Sequence, residues 1–267
     1  MSNSLSSTEK PTDSGLGADM TASVIAAVTN MRTEHADRIW DLCPEIARRV
    51  EEEYAALAAD GKKINHHDFA HAKRVGEIAR QVAKDEWGDE HIAKLAGIAG
   101  LVHNADRIIQ AQKGIGRREV SRDEVIALVK KWIENNLEET DVLTVLDAVL
   151  GHDGRNSEED SPVKIALQDG DRVVNLDADL FPRSGQYYSD LPVVDFKHFL
   201  NDPEATYRNP KTVLRDINYS LDWVKSESGV CVRTKLGMEM AQQRAKVFTL
   251  FFEVLKAQLA QEGIDME

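Results

Sequence analysis

The chain has 267 residues, of which 42% are hydrophobic, and its 33 basic and 46 acidic side chains give a formal net charge of −13. This length and apolar content suffice for one large helical domain or two small ones, while the acidic balance argues against nucleic acid as a partner because the phosphate backbone repels negative charge. The two cysteines, Cys43 and Cys231, show no ligand or redox spacing, which predicts a cytoplasmic protein.

The N-terminal part of the chain divides into a tail and a helical segment. Residues 1–20 are rich in Ser, Thr, Asp and Gly and lack the apolar run of a signal peptide, which predicts a disordered tail. Helical periodicity begins near residue 21, and residues 21–64 are predicted to form N-terminal helices, the second of which has Pro44 in its first turn. No apolar run anywhere approaches the ~20 residues that span a bilayer, so no membrane association is expected.

Five further helices are predicted in the centre of the chain. "HDFAHAKRVGEIARQVAKDEW" places His71, Val75, Ile78 and Val82 on one helical face. "DEHIAKLAGIAGLVH" follows, with small residues that permit close helix packing. "SRDEVIALVKKWIENN" opens with the capping-box pattern of a serine and a glutamate three residues later. "TDVLTVLDAVLGHD" and "SPVKIALQDGDRVVNLDADLF" complete the set.

The C-terminal third begins with an irregular stretch. Residues 181–209 are rich in aromatic, proline and turn residues, and we expect them to form an insertion that covers a pocket. Two helices, "KTVLRDINYSLDWVKSE" and "KLGMEMAQQRAKVFTLFFEVLKAQLAQEG", then close the chain. The sequence therefore predicts an all-α bundle whose main domain spans residues 65–262.

Three of the central helices each carry a residue that could bind a metal ion. His71 lies on an apolar helical face, His103 ends the small-residue helix, and Asp171 lies in "LQDGDRVVNL". Each alone is weak evidence, since a histidine on an apolar face is more often a packing residue. Together, imidazole and carboxylate groups suit a divalent cation such as Zn, Fe, Mn, Co or Ni, with Mg also compatible, and an incomplete ligand shell leaves a water to activate.

The order of these motifs resembles the HD-domain superfamily of metal-dependent phosphohydrolases. "HDFAHAKRVGEIA", "AGIAGLVHN" and "IALQDGDRVVNL" correspond to its first histidine, its His-Asp pair and its final aspartate, and the resemblance extends over residues 65–258. It implies an HD-domain-like helical bundle, with His71, His103 and Asp171 as metal ligands and Asn104 at the position of the pair's aspartate. It also implies hydrolysis of a small phosphorylated molecule, such as a nucleotide.

Asn104 departs from the family pattern, and its chemistry points both ways. A neutral amide oxygen is a poorer donor than a carboxylate and does not bridge two cations, so metal affinity should fall. Less ligand charge also leaves a metal more electrophilic, which lowers the pKa of a bound water. The sequence leaves three alternatives open: a natural site with weak or lost catalysis, a natural site that works with one metal, and an engineered Asp-to-Asn change.

Further residues near these motifs are candidates for catalysis or substrate binding. Asp106 could orient a water or act as a base, although a helix-capping role fits its position somewhat better. Arginine side chains could receive phosphate oxygens through charge-assisted hydrogen bonds. The catalytic candidates are Asp106, Arg107 and Arg172, and the substrate-binding candidates are His152, Lys113 and Arg117.

Three functional hypotheses follow, and the third, a helical scaffold that assembles through its N-terminal helices, does not explain the spaced ligands. The first is a metal-dependent phosphohydrolase, uncertain as an enzyme because of Asn104, whose partner is a small phosphorylated molecule. The second is a catalytically degraded HD-fold protein that binds a ligand or a partner. Retention of three of the four ligands favours the enzyme, and the N-terminal helices are compatible with a homodimer.

Overall fold

The structure, a computed structural model, describes residues 37–62, 64, 67–116 and 119–264, and these residues form α-helices and short 3₁₀ helices without a strand. The all-α fold predicted from the sequence is therefore confirmed. In chain order the helices are α1 (Ile39–Leu42), α2 (Pro44–Ala59), α3 (Phe69–Trp87), α4 (Glu90–Val102), α5 (Ala105–Lys113), α6 (Arg122–Ile133), α7 (Glu139–Gly151), α8 (Pro162–Val174), α9 (Leu180–Tyr187), α10 (Val213–Tyr219) and α11 (Lys235–Gln261).

Polar side chains fix where the central helices begin. The Asp68 carboxylate accepts the backbone N–H of His71 at 2.8 Å, which satisfies one of the free donors in the first turn of α3. The predicted capping box of α6 is present between Ser121 and Glu124. Ser161 caps α8, whose first residue is a proline. The caps at Asp68 and Ser161 thus set where the helices that carry His71 and Asp171 begin.

Helices α3, α4 and α8 approach one another closely because glycines face one another. A Cβ at Gly100 would lie 2.4 Å from the Cα of Gly76, and a Cβ at Gly170 would lie 2.9 Å from the backbone nitrogen of Ala79. Real side chains do not tolerate such distances, so only glycine permits this packing. The small-residue pattern of α4 thus has the predicted effect, and it brings the start of α3, the end of α4 and the middle of α8 together.

The remaining helices surround this trio. Helix α7 packs on α4 and α8, α11 packs on α3 and α8, and α2 packs against α4, α5 and α6. The apolar core between them includes the fully buried side chains of Trp132, Ile98, Leu101 and Leu167. Burial of this apolar surface stabilises the bundle, at about 25 cal/mol per Å².

Two helices predicted as continuous are interrupted. The helix predicted to run on to Phe181 ends at Val174, and α9 begins after a five-residue turn. Asp177 in that turn is held by Arg74 at 3.1 Å and by Arg244 at 2.9 Å, ion pairs that a continuous helix would not provide in this position. The first of the two predicted C-terminal helices is also divided. It consists of α10 and the 3₁₀ turns Ser220–Val224 and Ser226–Ser228.

The irregular insertion is present but starts later than predicted. Residues 181–187 are helical and belong to α9, and the irregular part runs over residues 188–212, hereafter the cover segment. The tail predicted at residues 1–20 lies outside the described residues, and so does most of the first predicted helix. Helix α1 corresponds to the end of that predicted helix. Among the described helices, none combines the length and apolar content needed to cross a membrane.

Candidate metal centre

The three candidate ligands meet at one point inside the bundle. His71 at the start of α3, His103 at the end of α4 and Asp171 in α8 each offer one ligand atom, and these atoms lie within 4.8 Å of one another. Asp171 Oδ1 is 3.2 Å from His71 Nε2 and 3.8 Å from His103 Nε2. Both histidines are buried, at 0% and 2% exposure. The sequence-based prediction named these three residues, and the structure brings them together.

The ring of His103 is oriented for a ligand role. Its Nδ1 lies 2.7 Å from the carbonyl oxygen of Gly100, and since a carbonyl only accepts, Nδ1 carries the proton. Burial, together with the nearby ring of His71, lowers the pKa of His103, so the ring is neutral. The lone pair of Nε2 then faces Asp171. Such a hydrogen bond to the far nitrogen is the usual way in which proteins fix a metal-binding histidine.

Asp171 supplies the negative charge of the centre. Burial alone would raise the pKa of Asp171, but the hydrogen bond with His71 and the adjacent histidine rings lower it far below its usual range. Among the described residues, no lysine or arginine forms an ion pair with this carboxylate. Two imidazoles and one carboxylate without a permanent cation are a donor set that fits a divalent transition metal.

His152, a predicted substrate-binding residue, lies beside this centre at the end of α7. Its ring centroid is 5.3 Å from that of His103, and its Nδ1 donates to the carbonyl oxygen of Val149 at 2.6 Å. Burial, and then the nearby His103, lowers the pKa of His152 to about 4, so it is neutral above that pH. Its Nε2 is 3.4 Å from Asp153 Oδ1, near the entrance of the centre.

Asn104, the residue that departs from the family pattern, is buried next to His103 and precedes α5. It is 3% exposed, and its Nδ2 lacks a hydrogen-bond partner among the described residues. Burial raises the pKa of the nearby Tyr54 hydroxyl, and the Asn104 amide opposes that rise. The two groups are close but not in hydrogen-bond geometry, since the Tyr54 hydroxyl also lacks a partner. The unpaired group is the amide NH₂, which only donates, so the predicted weak ligand would have to be Asn104 Oδ1.

A cavity of about 630 Å³ opens from the centre, and Asp171 forms part of its wall. Arg107 and Arg208 add positive charge, and the cover segment contributes residues as predicted. Asp216 adds a carboxylate whose Oδ2 accepts from Ser184 at 2.7 Å. The lining side chains are His67, Arg107, Asp153, Asp171, Asn175, Leu180, Tyr187, Tyr188, Tyr207, Arg208, Asp216, Ser220 and Trp223.

The second-tier candidates are distributed unevenly around this cavity. Arg107 lines the cavity, and its backbone N–H donates to Asp106 Oδ1 at 2.8 Å. Lys113 lies at the end of α5, half exposed, and pairs with Glu124 on α6. Arg117 lies outside the described residues. Among the predicted cationic residues that the structure describes, Arg107 alone lines the cavity that contains Asp171.

Arg172 occupies a different environment from the one predicted. Its guanidinium is 6% exposed and donates to Asn156 Oδ1 at 2.7 Å and to the carbonyl oxygens of Cys231 and Gly154 at 3.0 and 3.3 Å. Neighbouring helical residues point about 100° apart, so Arg172 turns away from the cavity that Asp171 faces. Arg172 therefore holds two loops against α8 through these hydrogen bonds. This corrects the prediction that it binds a phosphate group.

Several cavity residues were not identified from the sequence. Asn175 stands four residues after Asp171, a spacing that places two helical side chains together and could have indicated contact. Arg208, Asp216 and Trp223 come from the cover segment and the helices that follow it. No local pattern marks them, because their proximity to Asp171 results from tertiary packing.

Comparison with known proteins supports the fold. No family model and no curated protein matches the chain. A solved structure from Listeria innocua is 16% identical with a TM-score of 0.51, over 80% of this chain and 97% of that one. A structure from Lactobacillus plantarum is 18% identical with a TM-score of 0.56, over 82% and 97%. At such identities the likeness establishes a shared fold alone.

A third solved structure is described as a predicted HD superfamily hydrolase from an uncultured Thermotogales bacterium. It is 20% identical with a TM-score of 0.48, over 80% of this chain and 91% of that one, and a score below 0.5 is too low to support an argument. The fold shared with the Listeria innocua and Lactobacillus plantarum structures is, in this chain, an all-α bundle that brings together His71, His103 with its neighbour Asn104, and Asp171.

Proposed function

We propose that the protein is a metal-dependent phosphohydrolase that acts on a small phosphorylated molecule, such as a nucleotide. One observation carries the proposal: the carboxylate of Asp171, 3.2 and 3.8 Å from two buried histidines, also forms the wall of a cavity that contains arginines. A metal-ligand set that opens onto a cavity with arginine side chains is an arrangement that suits hydrolysis of a phosphate ester.

The residues of the centre have separable roles in this proposal. His71, His103 and Asp171 would hold a divalent cation, with Asn104 as a weaker oxygen donor. A bound cation supplies an activated water and neutralises charge on a phosphoryl oxygen. Arg107 donates to phosphate oxygens and stabilises the charge that develops on them. His152 is neutral above a pH of about 4 and its Nδ1 donates to Val149, so its Nε2 could accept a hydrogen bond from a substrate hydroxyl without repelling the cation.

The cavity can also accommodate more than a phosphate group. Its volume of about 630 Å³ lies within the range of small-molecule sites, and aromatic side chains from α9, the cover segment and the following turn line it. Tyr187 and Tyr188 pack edge to face with ring centroids 4.7 Å apart. Arg208, which is exposed in the cover segment, could bind a second anionic group.

Metal content is the first test. Protein purified without chelator is analysed by mass spectrometry beside Asp171→Ala and a control, Asp153→Ala, which lines the cavity but is not one of the three ligands. We expect about one transition metal per chain in the wild type and in Asp153→Ala, and none in Asp171→Ala.

Metal-loaded protein is then incubated with nucleoside phosphates and sugar phosphates, and released inorganic phosphate is measured. Metal without phosphate release from any of them would favour the alternative, a ligand-binding HD-fold protein; no metal in the wild type, even after addition of Mn²⁺, Ni²⁺ or Zn²⁺, would overturn the metallohydrolase.

A further inference from the structure

Asp171 has a hydrogen-bond donor that the sequence motifs do not include. Asn175 follows the last residue of α8, and its Nδ2 donates to Asp171 Oδ1 at 2.9 Å. This is the same oxygen that faces His71 Nε2 and His103 Nε2. Asn175 therefore acts on the atom at which the three candidate ligands converge.

The orientation of the Asn175 amide is itself fixed. Arg183 on α9 donates from Nη1 to Asn175 Oδ1 at 3.4 Å, and a guanidinium only donates. The amide oxygen must therefore face Arg183, which leaves the NH₂ group to face Asp171. Arg183 is held in turn by Asp179 at 3.2 Å, and Asp179 by Arg74 of α3 at 2.8 Å. A chain of polar contacts thus leads from α3 through α9 to the carboxylate.

Asp171 is the only anionic residue among the three ligands, so the direction of its carboxylate has a larger effect on a cation than that of either imidazole. A carboxylate without the amide could rotate about its Cβ–Cγ bond, and its oxygens would then be shared between the two histidines and the cavity. Partners of ligating groups commonly change metal affinity by 10- to 100-fold.

We propose that Asn175 is a positioning residue of the metal centre, which holds Asp171 in the orientation that a divalent cation needs, and that Arg183 acts through Asn175. This inference rests on the metal site of the proposed function. It differs from a purely structural role, in which the amide would only stabilise the end of α8 and the turn before α9.

The chain contains a matched control for the amide. Gln81 donates from Nε2 to Glu77 Oε1 at 2.9 Å, with the same separation of four residues, but this carboxylate lies in an ion pair with Arg80 away from the histidines. Loss of either amide removes one hydrogen bond to a carboxylate on a helix. Only loss of Asn175 should alter metal binding.

The experiment titrates Mn²⁺, Ni²⁺ and Zn²⁺ in turn into metal-free wild-type protein, Asn175→Ala, Arg183→Gln, the double variant and Gln81→Ala, using isothermal calorimetry. Unfolding temperatures of the metal-free proteins are recorded in parallel. We expect an affinity loss of about tenfold to 100-fold in Asn175→Ala, a smaller loss in Arg183→Gln, and no additional loss in the double variant. Gln81→Ala should bind metal as the wild type does, with an unfolding temperature similar to that of Asn175→Ala.

The outcomes separate the two proposals. Wild-type affinity in folded Asn175→Ala would overturn the positioning role and leave the metal site intact. If Asn175→Ala does not fold, Arg183→Gln decides: because Arg183 fixes the orientation of the Asn175 amide, wild-type affinity in folded Arg183→Gln would overturn the inference. No binding of any of the three metals by the wild type would overturn both the positioning role and the proposed function.

Discussion

Helix α3 carries two buried polar clusters with opposite electrostatics. Halfway along it, Glu77 accepts hydrogen bonds from Arg80 Nη2 at 2.8 Å and from the backbone N–H of Ile39 at 2.9 Å, so the carboxylate has a permanent cation and a fixed set of donors. At its start, His71 meets Asp171, whose carboxylate has no lysine or arginine partner among the described residues. The Glu77 cluster is complete as a structural ion pair. The Asp171 cluster lacks the positive charge that a bound cation would supply.

The comparison shows how to separate a structural buried carboxylate from a ligand in a protein of unknown chemistry. Both carboxylates are largely buried, since the side chain of Glu77 is 7% exposed and that of Asp171 is 20% exposed. What differs is charge compensation, since a buried ion costs several kcal/mol unless a partner neutralises it. The following predictions test that difference.

The largest effect is expected at the structural cluster. Glu77→Gln leaves Arg80, which is 8% exposed, as a buried cation without its anion, and removal of one partner of such a pair typically costs about 3 kcal/mol. We expect that loss in the free energy of unfolding measured with urea, and no change in metal affinity by calorimetry. As a control, the double variant Glu77→Met with Arg80→Met should recover part of the stability. A loss below ~0.5 kcal/mol would mean that Glu77 is not a structural anchor.

The next effect concerns the missing charge of the metal centre. Asn104→Asp adds a second carboxylate next to His103, so we expect affinity for Mn²⁺ to rise about tenfold or more. Without metal, the new anion is buried near the Tyr54 hydroxyl and should lower the unfolding temperature. Calorimetry and thermal unfolding, each with and without metal, measure the two effects. Unchanged affinity would show that the side chain at position 104 is not a ligand.

A smaller effect is expected from pH at the structural cluster. Burial alone would raise the pKa of Glu77, but hydrogen bonds from Arg80, Gln81 and the Ile39 N–H outweigh it and lower the pKa below the usual value. The unfolded chain therefore binds this proton at a higher pH than the folded one, and the stabilisation is present above about pH 4.5 and lost as pH falls through the lowered folded value. The stability difference between wild type and Glu77→Gln should thus be constant from pH 6 to 8.

Below about pH 4.5 the same difference should shrink as the pH falls towards the lowered pKa of Glu77 in the folded state. Urea unfolding of both proteins at a series of pH values tests this. A difference that grows towards acid would contradict the sign of the shift.

The smallest effect is expected at Lys113. This side chain pairs with Glu124 at the surface, where solvent screens the interaction. Lys113→Ala should leave the unfolding temperature and the Mn²⁺ affinity unchanged within error.

Arg107→Ala, its counterpart in the cavity, should lower the affinity for inorganic phosphate in the metal-loaded protein. Equal effects of both changes would argue against a distinct anion site at Arg107.

The sequence predicted those features that depend on residue chemistry and on patterns local in the chain. The helices before and after the small-residue run, and the trio His71, His103 and Asp171, follow from periodicity, capping residues and motif order. Arg172 was misassigned because its charge is visible in the sequence, whereas its direction, set by helix rotation and by the loop carrying Cys231, is not. Arg208 and Asp216 were missed for the same reason, since their distance to Asp171 depends on how the cover segment folds back.

The C-terminal helix has a consequence for how the centre forms. Asp169, two residues before Asp171, is completely buried and accepts the backbone N–H groups of Arg233 and Thr234 at 2.9 and 2.7 Å, just where α11 begins. During synthesis on the ribosome, all three candidate ligands emerge well before these donors exist. A nascent chain that has passed Asp171 but has not reached Thr234 therefore contains every ligand but lacks these N–H donors, so α8 gains its final setting only after Arg233 and Thr234 have been made.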